Sequence, residues 1–143
     1  MRTGGHASSL VIREASFRDI DAITELMNDL GHPASILQMK KRLEMISSNP
    51  MYHTLVAELN DKVVGMVGLR QQYAYESDQP IIQISVLVTK TEYRGLGIGK
   101  ELMKHVENWA NEHGVSAIVL TSGDRPEREA AHQFYKQLGY SSL

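Results

Sequence analysis

The segment Tyr93-Arg94-Gly95-Leu96-Gly97-Ile98-Gly99-Lys100 carries the most chemistry in this chain of 143 residues. Glycines at alternate positions allow a tight turn and leave room for a ligand to approach the backbone amides. Successive N–H groups can then converge on an anion, and a helix starting near Ile98 adds the positive end of its dipole. Arg94 and Lys100 bracket the loop with fixed positive charge. A diphosphate is the natural occupant. Two common nucleotide-binding patterns fail on spacing. Gly95, Gly97 and Gly99 form G-x-G-x-G where a dinucleotide fingerprint needs G-x-G-x-x-G, and Glu101 stands where a P-loop needs Ser or Thr. The plainer alternative is a Gly-rich turn that only joins a strand to a helix.

The elements that must position this loop follow from periodicity. Leu10 to Glu14 is an apolar-led first strand. Ser16 and Asp19 form an acidic variant of the capping box, and Ile20, Ile23, Met27 and Leu30 continue at helical spacing until Gly31 and Pro33. A second helix places Ile36, Met39, Leu43 and Ile46 on one side and stops at Asn49-Pro50. Tyr52 to Leu59 and Lys62 to Leu69 flank Asn60-Asp61, residues that tolerate the positive φ of a hairpin turn. Ile81 to Thr89 is a strand expected to show Ile82, Ile84, Val86 and Val88 on one face. After the Gly-rich loop, a helix carries Ile98, Leu102, Val106 and Trp109, and His113-Gly114 closes it. Val115 to Thr121 is a strand, and a last helix groups Ala131, Phe134, Tyr135 and Leu138 before Gly139. The order β-α-α-β-β-β-α-β-α predicts an α/β domain, a mixed central sheet with helices on both faces. A final strand is expected after Tyr140; with Leu143 as the last residue, it is read as absent or truncated, by design or completed by a partner chain.

Composition narrows the function classes. With 42% hydrophobic residues, 22% charged residues and a net charge of −2, the chain is a folded domain without the basic patch expected of a nucleic-acid binder. Cysteine is absent, which removes disulfides, thiolate metal sites and thiol nucleophiles, and fits a reducing, cytoplasmic setting. Val63 to Leu69, the longest nearly apolar run, is far short of the roughly 20 residues of a membrane helix. Met1 to Ser9 is Gly-rich and polar, a loose arm or a cloning remnant, leaving residues 10–143 as one domain. The histidines show no H-x-x-x-H pair, so no metal site is expected, and no G-x-S-x-G elbow suggests serine hydrolysis. Lys40-Lys41-Arg42 reads as a solvated helix face or as a lure for an anionic acceptor, and Tyr73 and Tyr75 as acceptor lining or edge cover.

Arg94-x-x-Gly97-x-Gly99 resembles the R/Q-x-x-G-x-G/A signature of the GNAT superfamily of acetyl-CoA-dependent N-acetyltransferases. Ala131-His132-Gln133-Phe134-Tyr135-Lys136-Gln137-Leu138-Gly139-Tyr140 is similar to that family's A-x-x-F-Y-x-x-x-G-F/Y segment. The element order matches too, so the resemblance spans Leu10 to Tyr140. It implies that acetyl-CoA lies where the fourth and fifth strands part. Its pyrophosphate would rest on the amides of Gly95, Leu96, Gly97, Ile98, Gly99 and Lys100, with Arg94 alongside. Its pantetheine arm would pair with Leu87, Val88 and Thr89, and an N–H near Val88 would hold the thioester oxygen and favour the oxyanion. Tyr135 matches the family tyrosine that protonates the departing thiolate, although its place on an apolar helix face also suits a core role. Phe134 suits packing.

Two positions depart from the pattern. Arg128 stands where many members carry a cofactor-contacting asparagine, and Arg128-x-x-Ala131-His132-x-Phe134-Tyr135 resembles the aminoalkylphosphonate N-acetyltransferase subgroup, as does Asn49 to Leu69. Arg128 and His132 are therefore candidate cofactor contacts or parts of a solvated face. Val86 occupies the position of the family's glutamate base and cannot take a proton. Gln83 and Ser85 could orient a water, Glu76 and Asp78 lack spacing support, and no base is assigned. The resemblance implies acetylation of a small primary amine in a ternary complex. A protein N-acetyltransferase and a non-catalytic acyl-CoA-binding sensor are the alternatives, and a homodimer is expected from family habit.

Overall fold

The computed structural model describes residues 10–115, 117–120 and 141–142. Strand β1 (Leu10–Glu14) leads through a 3-10 turn (Phe17–Asp19) into helix α1 (Ile20–Leu30), followed by α2 (Ile36–Ser47). Strands β2 (Tyr52–Leu59), β3 (Lys62–Gln72) and β4 (Ile81–Thr89) form a meander, and α3 (Ile98–Glu112) connects to β5 (Ala117–Leu120). The sheet runs in the order β1-β2-β3-β4-β5-β6, where β6 is Ser141–Ser142. The first four strands pair antiparallel, and β4, β5 and β6 pair parallel. The final strand, read from the sequence as absent or truncated, is thus a two-residue pairing beside β5. The expected last helix lies outside the described residues. No described helix is long and apolar enough to cross a membrane.

Local chemistry sets the element ends. Ser35 Oγ accepts the Gln38 N–H at 3.1 Å while Gln38 Oε1 accepts the Ser35 N–H at 2.9 Å, a reciprocal cap that starts α2. Gly31 ends α1 with φ 100°, donating its N–H to the carbonyl of Asn28. Asn60 and Asp61 take φ of 50° and 67°, the positive values of the tight hairpin expected from their side chains. The hairpin's second strand runs three residues past Leu69, to Gln72.

Helices cover both faces of the sheet. On one, Ile98, Leu102, Met103, Val106 and Ala110 of α3 pack on Ala57, Val67, Leu69, Ile82, Ile84 and Leu120. On the other, Ile23 and Leu26 of α1 with Met39 and Leu43 of α2 cover Val56, Met66 and Val88. Each fully buried Leu or Ile contributes roughly 1.5–3 kcal/mol through removal from water. Ile36, expected on the buried side of α2, is half exposed, and the same helix shows Leu37 and Met45 to solvent.

One expectation about β4 fails. Ile82 and Ile84 do face α3, but Val86 and Val88 pack on the opposite cluster. The register explains it: Gly68 pairs with Val86 and Leu69 with Ile84, leaving Ser85 as an extra, bulged residue. Because side chains alternate with period two, one inserted residue moves everything downstream to the other face.

Candidate active site

The same bulge sits where β4 leaves its neighbour. β4 pairs with β5 from Ile81–Ala117 to Ile84–Leu120, and among the described residues it continues to Thr89 with β3 alone. Lys90 N–H donates to the carbonyl of Val64 on β3 at 2.8 Å. Counting back in twos, the backbone groups of Val88 also turn toward β3, and those of Leu87 and Thr89 turn to the open side. The N–H groups near Val88 that turn to the open side are therefore those of Leu87 and Thr89, on either side of it. Its side chain is buried under α1 and α2.

The Gly-rich loop lies at the end of this free edge. Gly95 and Gly97 adopt φ of 83° and 81°, which only glycine enters without strain, and a Cβ at either would meet nothing within 4 Å. Gly97 caps α3 with no side chain involved. The N–H of Glu101 returns to Gly97 O at 3.0 Å, whereas the amides from Gly95 to Lys100 bond to no other described residue. They lie around the positive end of a helix of 15 residues, with Gly95, Leu96, Gly97 and Lys100 exposed and Gly99 partly so. Arg94, exposed, bonds through Nε to the outward carbonyl of Thr89 at 3.4 Å, linking the loop to the strand edge. Lys100 and Leu96 are exposed, and Ile98 is the loop's buried anchor. Among the described residues, a loop of unbonded amides with open space and two cations thus stands beside a strand edge with unpaired N–H groups, an arrangement able to hold an extended chain that carries a diphosphate.

Most of the remaining candidates are placed plainly. Val86 is half-buried against the α1/α2 cluster, with no proton acceptor in its side chain. Ser85 is exposed at the bulge, and Glu76 and Asp78 are exposed in the loop before β4. Lys40, Lys41 and Arg42 are exposed along α2, and Tyr73 and Tyr75 stand in solvent. Trp109 stacks on His113 with ring centroids 4.1 Å apart and meets the tilted ring of His53 at 4.8 Å. Burial holds His53 below the usual histidine range. Arg128, His132, Phe134 and Tyr135 lie outside the described residues.

A family model described as the acetyltransferase (GNAT) family matches residues 20–140, from the start of α1 onward. The chain belongs to the GNAT acetyltransferase family. This GNAT chain is 30% identical to the thialysine N-epsilon-acetyltransferase of Sus scrofa over 95% of its own length and 86% of that protein. It is 38% identical to the N-acetylaspartate synthetase of Rattus norvegicus, but over 62% of its own length and only 27% of that relative. Among solved structures, a GNAT family acetyltransferase of Staphylococcus aureus superposes with a TM-score of 0.76 at 29% identity, covering 82% of this chain and 89% of the other. The fold is also that of an aminoglycoside N-acetyltransferase solved in complex with CoA, at a TM-score of 0.78 and 16% identity, covering 92% and 88%.

Two features of the site escaped the sequence reading. One is the bulge at Ser85, which the glycines at 65 and 68 of β3 could have signalled, since glycine inside a strand marks bulges and close approaches. The other is Arg70, a cation in the partly buried end of β3 whose Nη2 donates to the side-chain oxygens of Gln72 and Gln83.

Proposed function

We propose that this GNAT chain transfers the acetyl group of acetyl-CoA to the primary amine of a small molecule, by direct attack in a ternary complex. The observation that carries this reading is the run of amides from Gly95 to Lys100 at the head of α3, unbonded among the described residues and set at the end of the β4 edge that no described strand pairs beyond Ile84. Those amides, with Arg94 and Lys100, hold the pyrophosphate. The outward groups of Leu87 and Thr89 hold the pantetheine arm, and the N–H of Leu87 meets the thioester oxygen, where it favours negative charge. Arg128 and His132 add contacts to the cofactor from the segment that follows β5. When bound, acetyl-CoA supplies an activated acetyl thioester.

The chain's own groups then have defined tasks. The amine reaches the carbonyl carbon as the neutral base, forms the C–N bond and releases its proton to water. The C–S bond breaks, and the Tyr135 phenol gives its proton to the departing sulfur and recovers it from solvent. Val86 leaves β4 without a carboxylate base, so the reaction draws on the unprotonated fraction of the amine and should accelerate as pH rises. The name of the pig relative supports an acceptor of amino-acid type, and an aminoalkylphosphonate is a second acceptor class that the 128–135 motif favours.

Val86 also favours a second reading, a non-catalytic acyl-CoA sensor, and peptide amino termini are a third class of acceptor. One experiment separates them. CoA release is followed over a panel of amino acids, aminoalkylphosphonates and peptides, alongside calorimetry with acetyl-CoA. An enzyme turns over at least one small amine; a sensor binds acetyl-CoA with no turnover; absence of binding removes both.

A further inference from the structure

Tyr52, Arg70 and Gln83 form one row across β2, β3 and β4. Directly paired residues share a sheet face, and the flanking Leu69, Ile82 and Ile84 pack toward α3, so the row faces the α1/α2 side. Arg70 Nη2 donates to Gln72 Oε1 at 2.8 Å and to Gln83 Oε1 at 2.5 Å. Its Nε is buried with no hydrogen-bond partner. Nη1 bonds to no described residue, and no described carboxylate lies within ion-pair distance of the guanidinium. Elsewhere the chain does pair its partly buried cations: Arg13 holds Asp19 and Glu58, and Lys90 holds Glu25.

A half-buried guanidinium with neutral partners and an orphaned N–H is costly in an isolated fold, because desolvation goes uncompensated. Two carboxamides fix its orientation without neutralising it. That is the arrangement of a preset anion receptor, since the planar fork matches an acid group while its charge awaits a counter-ion. Its place matters as much. Gln83 lies two residues before the bulged Ser85, and Leu87, whose backbone faces the open edge, lies two residues beyond it. Four residues of strand span about 13 Å, a gap narrowed by the arginine's reach.

We propose that Arg70, braced by Gln72 and Gln83, is the subsite that recognises an acid group on the acceptor. The acceptor is then an amine bearing a carboxylate or phosphonate several carbons from its nitrogen. This inference rests on the acetyl-transfer reading for the identity of the ligand, but the anion site itself can be measured without turnover.

The test titrates the full chain with 4-aminobutanoate, 5-aminopentanoate, 6-aminohexanoate and 3-aminopropylphosphonate. Each is compared with the alkylamine lacking the acid group. At least one acid-bearing amine should bind tenfold or more tightly than its counterpart, and Arg70→Gln should erase that preference. Arg70→Lys, which keeps the charge and loses the fork, should retain part of it, as should Gln83→Leu. The carboxylate and phosphonate arms show which acid is preferred. In turnover, Arg70→Gln should lower kcat/KM for acid-bearing amines about 10²-fold more than for the matching alkylamines. No acid preference in the parent protein, or a preference that survives Arg70→Gln, overturns the anion site even if acetyl transfer is observed. An Arg70-dependent preference without turnover of any amine keeps the site and removes the enzymatic reading.

Discussion

Gly65 of β3 lies directly beneath Ile98 of α3: a Cβ on Gly65 would stand 3.1 Å from Ile98 Cγ2 and 3.2 Å from the carbonyl oxygen of Val88. The missing side chain lets the head of α3 settle onto the sheet at the free half of β4. The Gly-rich loop and the strand edge are thereby held at one place.

Gly65→Val should therefore act on the site through packing. The added methyl groups push on Ile98 and on backbone that cannot rotate away, at a cost of about 1–3 kcal/mol. The denaturation midpoint should fall, and the KM for acetyl-CoA should rise at least several-fold as the loop lifts from β4. A loss of stability with KM unchanged would separate this contact from the loop's placement.

Gly97→Ala meets open space, so its penalty is conformational. Holding alanine at φ 81° costs about 1–2 kcal/mol. Gly97→Asn should cost less, because asparagine tolerates the left-handed region. Chemical denaturation of the two variants gives the order, and acetyl-CoA titration should show the same order of weakening. Equal stability for Ala and Gly would mean that this backbone relaxes.

Tyr135→Phe tests the proposed acid. The rate of CoA release should fall about 10²-fold or more, with acetyl-CoA affinity changing much less. Similar losses in rate and affinity would return Tyr135 to the core.

Asp19 and Arg13 bear on stability rather than chemistry. Arg13 donates through Nη1 and Nη2 to the two oxygens of Asp19 at 2.9 and 2.8 Å, and through Nε to Glu58 at 2.9 Å. Asp19 is almost fully buried, and its bond to Arg13 holds the carboxyl below the usual carboxylate range. A depressed acid stabilises the fold above its unfolded value near 3.9, and that contribution is lost as pH falls from there through the folded value. Urea midpoints should drop across this acidic window. Arg13→Met leaves Asp19 buried and unpaired, at a cost of about 3–5 kcal/mol near neutral pH. Arg13→Met/Asp19→Leu should recover much of it, and failure to do so would point to packing by the arginine stem.

Much of this was legible from residue order alone. Apolar runs and the turn between them located β1, β2 and β4, and helical spacing located α3, because a helix that buries one face repeats apolar residues with period 3.6. Asn60-Asp61 named its own turn, and the alternate glycines at 95, 97 and 99 marked a loop whose amides stay available. These are local properties, set by residues near one another in the chain. The tertiary structure decided what depends on residues far apart. Alternation in β4 gave no hint of Ser85, because a bulge is defined by the register with Gly68 and Leu69 on another strand. Arg70 reads as an ordinary strand-end cation until the sheet sets Gln83 beside it and no described carboxylate within reach. Whether a buried charge is paired depends on which strands become neighbours, and chain order does not state that.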